Sequence, residues 1–386
     1  MNRKAFFVIA STMFISMLGM GIVTPFLPIY ADQLGASPLE IGLVQAGFSI
    51  SNMFSLPFVG RFSDRLGRKV FLCVGLTILM LASASFIWAK NPAQLILVRL
   101  FQGMGASAHL PIAQAYLGDI TPEGGEGKWM GYFNAILFGG IGMGPLVGGV
   151  LTDLFNVDTT FLVMAALNLA GLVAVLIFLR EVPRKAAPHA SIIAPLKSRV
   201  MRGVCVHRMT IGFGISALMT FIPLFADLRL GLGTILIGLL LAVRTPVSLT
   251  QSFTGRLADS HDRRLMIVIG GVITMVFSAL LPVAGGFWAL LVIYSLVTFG
   301  QAVATPASNA YVVEEGRTYG MGACMTIFML ALQVGNGVGP VMLGGVANIL
   351  GLESVFYASA VFMLLGVLFF LWLVKKPVAA PAINSV

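Results

Sequence analysis

Five ionisable side chains stand inside long apolar runs of this 386-residue chain: Arg99, His109, His207, Arg208 and Arg244. A charge in apolar surroundings is costly to keep, so each is a candidate for binding a ligand or moving a proton. Arginine keeps its proton and grips anions through a planar fork of N–H donors. Histidine, with an ordinary pKa of about 6.5, takes up and releases a proton near neutrality. His207 and Arg208 follow a basic stretch and are expected at the edge of their run, which leaves His109 as the midrun candidate for titration. Neutral polar residues accompany the arginines. At about 100° per residue, Arg99, Gln102 and His109 share an arc of about 80°, and Tyr294, Thr298, Gln301 and Thr305 share about 60°. Such strips suit a polar cavity, although hydrogen bonding between helices also explains them. Met13, Met17, Met20 and Thr24 recur at helical spacing, and flexible thioethers suit varied apolar ligands as readily as a packed core.

Residues for other chemistries are missing. No HExxH, paired buried carboxylates or nucleophile beside a base occurs in the apolar runs, so no catalytic residue is assigned and no enzyme is expected. Cys73, Cys205 and Cys324 lack pair spacing and neighbouring histidines, so neither a metal, a cofactor nor a disulfide is expected.

The elements that must position these residues follow from composition. The chain is 58% hydrophobic and 10% charged, whereas a soluble domain carries about 25% charged residues. A hydrocarbon core of about 30 Å needs about 20 apolar residues per helical crossing. Runs of that kind are expected near 5–30, 38–60, 70–88, 93–118, 129–152, 158–179, 202–226, 233–256, 265–283, 286–312, 320–349 and 353–374. The first is too long for a signal-peptide core and is read as a retained span. With the N-terminus inside, inner segments collect nearly all Lys and Arg, and outer loops hold only Lys90 and Arg229. That asymmetry predicts both termini in the cytoplasm. It also explains the net charge of +9 by a lipid bilayer rather than a nucleic acid.

The chain is also a duplication. Adding 195 to each position carries Pro28 to Pro223, Asp32 to Asp227, Gly60 to Gly255, Asp64 to Asp259, Pro111 to Pro306, Tyr116 to Tyr311, Gly144 to Gly339 and Pro145 to Pro340. One constant shift over so many turn and kink residues marks an internal repeat. The expected fold is therefore an all-α integral membrane protein, with twelve transmembrane helices in two pseudo-symmetric six-helix bundles at 1–180 and 202–376. A cytoplasmic linker at 181–201 and a tail at 377–386 complete it. Parallel halves of this kind place a substrate site between them near the bilayer midplane.

Four signatures carry a resemblance to a known family. Gly60-Arg61-Phe62-Ser63-Asp64-Arg65-Leu66-Gly67-Arg68-Lys69 and its copy from Gly255 through Asp259 to Arg264 resemble the cytoplasmic loop of the major facilitator superfamily. The second copy has Asp262 where the first has Gly67. The end of the first run, Leu18 to Pro28, and Arg99 to Ala106 resemble signatures of its drug:proton antiporters. Gly131, followed by Gly140-Ile141-Gly142-Met143-Gly144-Pro145-Leu146-Val147-Gly148-Gly149, resembles the superfamily's antiporter motif. Gly140, Gly144 and Gly148 line one helix face and admit another backbone closely. Pro145 removes a helical hydrogen bond.

By this resemblance Gly60, Asp64, Arg65, Gly67, Arg68, Gly255 and Asp259 form a cytoplasmic gate. Met17, Met20, Arg99, Gln102, His109, Arg244, Tyr294, Thr298 and Gln301 are the expected cavity residues. The implied function is export of small amphipathic molecules across the plasma (inner) membrane by alternating access, with protons as coupling ion, by a monomer. The alternative is a dedicated carrier for a sugar, amino acid or organic anion. Proton coupling rests on the resemblance alone, because no Asp or Glu lies midspan.

Overall fold

The computed structural model describes residues 3–121, 126–181, 193–260 and 262–374. Sixteen α-helices follow one another along these residues, and no strand occurs among them. In the first half they are α1 (Arg3–Val23), α2 (Leu27–Gln33), α3 (Pro38–Leu66), α4 (Arg68–Ser85), α5 (Pro92–Ser107), α6 (Leu110–Ile120), α7 (Glu126–Leu154) and α8 (Val157–Phe178). The second half holds α9 (Arg199–Leu228), α10 (Thr234–Ala242), α11 (Arg244–Leu249), α12 (Gln251–Ser260), α13 (Arg263–Leu280), α14 (Phe287–Tyr319), α15 (Met321–Leu350) and α16 (Ser354–Leu373). The second half begins three residues earlier than expected, and the tail at 377–386 lies outside the described residues.

Several expected spans are broken helices. Pro111 has no N–H, and its ring crowds the carbonyl four residues back, so the fourth span breaks at Ala108–His109 between α5 and α6. Pro25 falls between α1 and α2, Pro28 stands in the first turn of α2, and Pro246 stands in the short α11 between α10 and α12. Joined across these breaks, eleven helices among the described residues are long and apolar enough to cross a membrane. The expected span 38–60 lies in α3, which has 29 residues but falls short in apolarity. Its polar residues include Gln45, Ser49, Ser51 and Asn52. A capping box fixes its start: Ser37 accepts from the Glu40 amide while the Glu40 carboxylate accepts from the Ser37 amide at 2.8 Å.

Within the first half α1 packs on α7 and α8, α4 on α8, and α3 on α5. The second half repeats this, with α9 on α15 and α16, α13 on α16, and α10, α11 and α12 on α14. Between the halves α3 meets α15, and α7 meets α10. These cross-half approaches lie toward the face where the first span ends, here called distal; the face at which α1 begins and α16 ends is called terminal. At the distal end Gly42 abuts the Pro340 carbonyl, Gly344 that of Pro38, Gly149 that of Thr234 and Gly238 that of Pro145. Near the terminal ends of α3, α7 and α15, a side chain added at Gly60, Gly131 or Gly322 would meet nothing within 4 Å.

Candidate functional site

The glycine run of α7 presents two faces, each against a different helix. Gly140 stands against the Phe14 carbonyl, Gly144 against Gly21, and Gly148 against the Ile22 carbonyl, all on the α1 side. Gly142 meets Thr245 of α11, and Gly149 meets the Thr234 carbonyl of α10, where the Thr234 hydroxyl donates to the Gly149 carbonyl at 3.2 Å. Pro145 sits inside continuous α7 and cannot donate to the Ile141 carbonyl. That carbonyl faces Gly21, where a Cβ would stand 3.0 Å from it. One helix thus joins α1 within its half and α10–α11 across the halves, by close approach at glycines that larger side chains would prevent.

The expected strip on the fourth span is divided. Arg99 is 3% exposed and braced against α3. It donates through Nε to the Val44 carbonyl (3.2 Å), through one terminal nitrogen to Gln102 Oε1 (2.8 Å) and through the other to Gln45 Oε1, and the guanidinium lies 4.9 Å from the centre of the Phe48 ring. Its donors are therefore engaged within the first half, where the expectation placed them at a cavity. Gln102 is 1% exposed and faces Met164 of α8. His109 falls at the helix break, so it does not continue the strip; it is buried, with neither ring nitrogen hydrogen-bonded.

The strip on α14 also turns inward. Tyr294 is fully buried, with its hydroxyl unpartnered, and Thr298 donates to the Tyr294 carbonyl. Gln301 is buried, and its unpartnered amide nitrogen borders a cavity of about 10 Å³ shared with His207, Thr210, Thr274 and Met363. His207 is not at the edge of its run: it is 2% exposed, with Nδ1 3.3 Å from the Ser308 hydroxyl and its ring beside Phe370. Arg208 lies over the Phe328 ring at 4.8 Å, its Nε without a partner. Arg244, half-buried at the start of α11, stands within electrostatic reach of Arg208 and Tyr294 and makes no hydrogen bond or ion pair among the described residues. Met17 is buried against Gly140, and Met20 is half-buried beside it.

Sequence reasoning missed an amide ladder between the halves. Gln333 of α15 donates to Asn52 Oδ1 of α3 at 3.2 Å, Asn336 donates to Gln333 at 3.2 Å, and Asn52 donates to the Gly103 carbonyl at 3.4 Å. Lone amides inside apolar runs were the available signal. Their partners depend on which helices meet.

At the terminal face Arg68 pairs with Asp119 at 3.3 Å and donates to the Ser63 hydroxyl at 2.8 Å. In the second half Arg263 pairs with Glu314 at 3.0 Å, the same positions shifted by 195. Glu181 caps α4, accepting from the Arg68 and Lys69 amides at 2.8 and 3.1 Å. A carboxylate there meets the positive end of the helix dipole. Gly67 is required twice over: its φ is +115°, and a Cβ would stand 2.7 Å from a Glu181 oxygen. In the other copy Asp262 caps α13 itself, accepting from the Arg264 amide at 2.9 Å. Gly255 faces Pro306 of its own half. The side chains of Asp64, Arg65 and Asp259 lie outside the described residues.

Against known proteins, the family model described as Major Facilitator Superfamily matches residues 9–245 and 245–385. An uncharacterised MFS-type transporter of Methanocaldococcus jannaschii is 27% identical, covering 93% of this chain and 95% of its own length. The quinolone resistance protein NorA of Staphylococcus aureus is 25% identical, with 95% of each chain covered. Among solved structures, a bacterial homologue of the human lysosomal transporter Spinster, in an inward-facing and unoccupied conformation, superposes with a TM-score of 0.80 at 14% identity over 96% of each chain.

Proposed function

The chain belongs to the major facilitator superfamily, and from that premise we propose that this multi-pass membrane transporter is a secondary active exporter of small amphipathic molecules, driven by proton antiport. The two-faced glycine seam of α7 carries the reading. Joined to α1 by backbone and to α10–α11 across the halves, α7 can transmit the rocking of one half against the other. NorA, whose printed name is quinolone resistance, favours drug-like cargo.

In this reading α3 is a twelfth span, too polar to count by apolarity because it faces the other half. Six spans form each bundle, and the terminal face, which collects the Lys and Arg, is cytoplasmic. The distal contacts then close the outer side while the cytoplasmic ends stand apart. Asp64 and Asp259 act in the cytoplasmic gate, supported on each side by the Arg68–Asp119 and Arg263–Glu314 pairs.

Cargo charge follows from which arginines are free. Arg99 is engaged, whereas Arg244 and Arg208 lie near each other with no acid midspan to neutralise them. Neutral or anionic cargo is therefore favoured over cationic. The same pair is what favours the second reading, a dedicated carrier of an organic anion. His109, with both ring nitrogens free of partners, is the candidate proton carrier, and His207 is the second.

Proteoliposomes with an imposed pH gradient test the function. Gradient-dependent movement of several unrelated amphipathic fluorophores, abolished by a protonophore, is the expected result. Transport of one metabolite and of no fluorophore would replace the exporter with the carrier.

A further inference from the structure

A cavity lies on the outside of the second half, away from both seams. It measures about 550 Å³, at the terminal-face ends of α9 and α16, and is lined by Leu196, Arg199, Arg202, Cys205, Val206, Phe369, Trp372 and Leu373. Gly203 lets α9 approach Leu373 and Val374 closely at its floor. The lining changes character with depth. Arg199 is the first residue of α9, Arg202 lies about one turn further in, and Cys205 and Val206 about one turn beyond that. Opposite them, Leu373 ends α16, with Trp372 (68% exposed) and then Phe369 (44% exposed) further from the end. Among the described residues no acidic residue lines the cavity, and neither guanidinium takes a hydrogen bond or ion pair.

We infer that this groove is a binding site for one anionic phospholipid, its phosphate held by Arg199 and Arg202 and its acyl chain laid along Val206, Phe369 and Trp372. The order of groups matches that ligand: phosphate at the interface, glycerol esters next, hydrocarbon deepest. Guanidinium groups bind phosphate oxygens in paired, charge-assisted hydrogen bonds, and tryptophan favours the interfacial level. A choline lipid would bring its ammonium toward two unneutralised arginines, so an anionic headgroup such as phosphatidylglycerol is preferred. Basic pockets between spans on the cytoplasmic side recognise lipid headgroups in this way. The inference rests on the membrane placement of the terminal face and not on what is exported.

Trp372 is a built-in probe. In a variant with Trp88, Trp129 and Trp288 changed to Phe, it is the remaining tryptophan, and its fluorescence would be titrated with brominated phosphatidylglycerol and brominated phosphatidylcholine in bilayers. The expected result is half-maximal quenching at a mole fraction of the anionic lipid lower on the order of tenfold, as the net negative charge of its headgroup beside two arginines implies. Arg199→Ala/Arg202→Ala should erase that preference and leave quenching by phosphatidylcholine unchanged, while excess inorganic phosphate leaves the preference in place. Equal quenching by both lipids, a preference surviving the double substitution, or displacement by phosphate alone would overturn the site. A preference appearing only after removal of residues 375–386 would overturn it too, by showing that the chain's own tail fills the groove. Should the triple Phe variant fail to fold, native mass spectrometry of the unaltered chain and of the double variant reads the same preference.

Discussion

A single methyl group at Gly144 tests whether the α7 seam is held by backbone approach. Alanine there would place Cβ 2.5 Å from the Gly21 carbonyl carbon and 2.9 Å from the Ile22 nitrogen. Ordinary contact between such atoms is about 3.5–4.0 Å, so α1 and α7 must separate by about 1 Å. Every atom met is backbone, and no side chain can swing aside to relieve the overlap. Overpacking of this kind costs about 1–3 kcal/mol. Because α1 and α7 lie in the same half, both transport states carry the cost, and it falls on stability rather than on the balance between states. At about 2–4 °C per kcal/mol, the expected melting temperature falls by roughly 2–12 °C, and transport at equal membrane abundance falls as well. Gly144→Leu should be worse, although it makes the span more hydrophobic. The control is the neighbouring residue: a Cβ at Gly139 meets only the edge of the Phe14 ring, at 3.7 Å, so Gly139→Ala should match the parent. Thermal unfolding in detergent and proteoliposome transport read both variants. If Gly144→Ala were as stable and active as Gly139→Ala, the close approach of α7 to α1 would not exist in the working protein.

Four other substitutions separate the parts of the reading. Gly149→Ala meets the Thr234 carbonyl across the halves, so it should shift accessibility toward the distally open state with little loss of melting temperature, read by labelling of cysteines introduced near the distal ends. Asp64→Asn should lower transport at unchanged abundance by weakening the gate; equal transport by both proteins would remove Asp64 from it. Arg99→Gln should cost about 1–3 kcal/mol of stability by removing the buried donors to the side-chain oxygens of Gln45 and Gln102 and to the Val44 carbonyl, whereas Arg244→Gln should leave stability alone and raise uptake of cationic over matched anionic fluorophores into inverted vesicles. A parent preference for the cation, unchanged in Arg244→Gln, would show that this arginine does not set cargo charge.

The features legible in the sequence were those that a bilayer imposes along the chain. Apolar length, basic asymmetry and the 195-residue shift need no knowledge of which helix touches which. Legibility weakened where function depends on pairing. Arg99 satisfied the rule that a buried charge must find partners, but helical periodicity could not say that Val44 and Gln45 on α3 supply them. Gln301 had the right spacing on the right span and still turned toward His207 and Thr274 inside its own half. The basic stretch before His207 points to an interfacial residue, whereas α9 begins at Arg199 and carries it two turns inward.

The duplication itself marks where the two halves have diverged. Equivalent contacts recur where only shape is required: Gly142 meets Thr245, and at the shifted positions Gly337 meets Ile50. The cap of the helix after each basic loop is conserved in effect but not in residue, since Glu181 reaches across to α4 while Asp262 serves α13 directly. The amide ladder breaks the symmetry outright. Asn52, Gln333 and Asn336 correspond to Val247, Phe138 and Ile141 in the other seam. Both seams bring glycines against carbonyls across the halves, and each adds a hydrogen bond of its own kind: amide to amide from Gln333 to Asn52 between α3 and α15, hydroxyl to carbonyl from Thr234 to Gly149 between α7 and α10. What distinguishes the α3–α15 seam is therefore the chemistry of its hydrogen bond and not the presence of one: the two amides Asn52 and Gln333 can exchange each other for a polar partner, whereas Gly149 offers only its carbonyl.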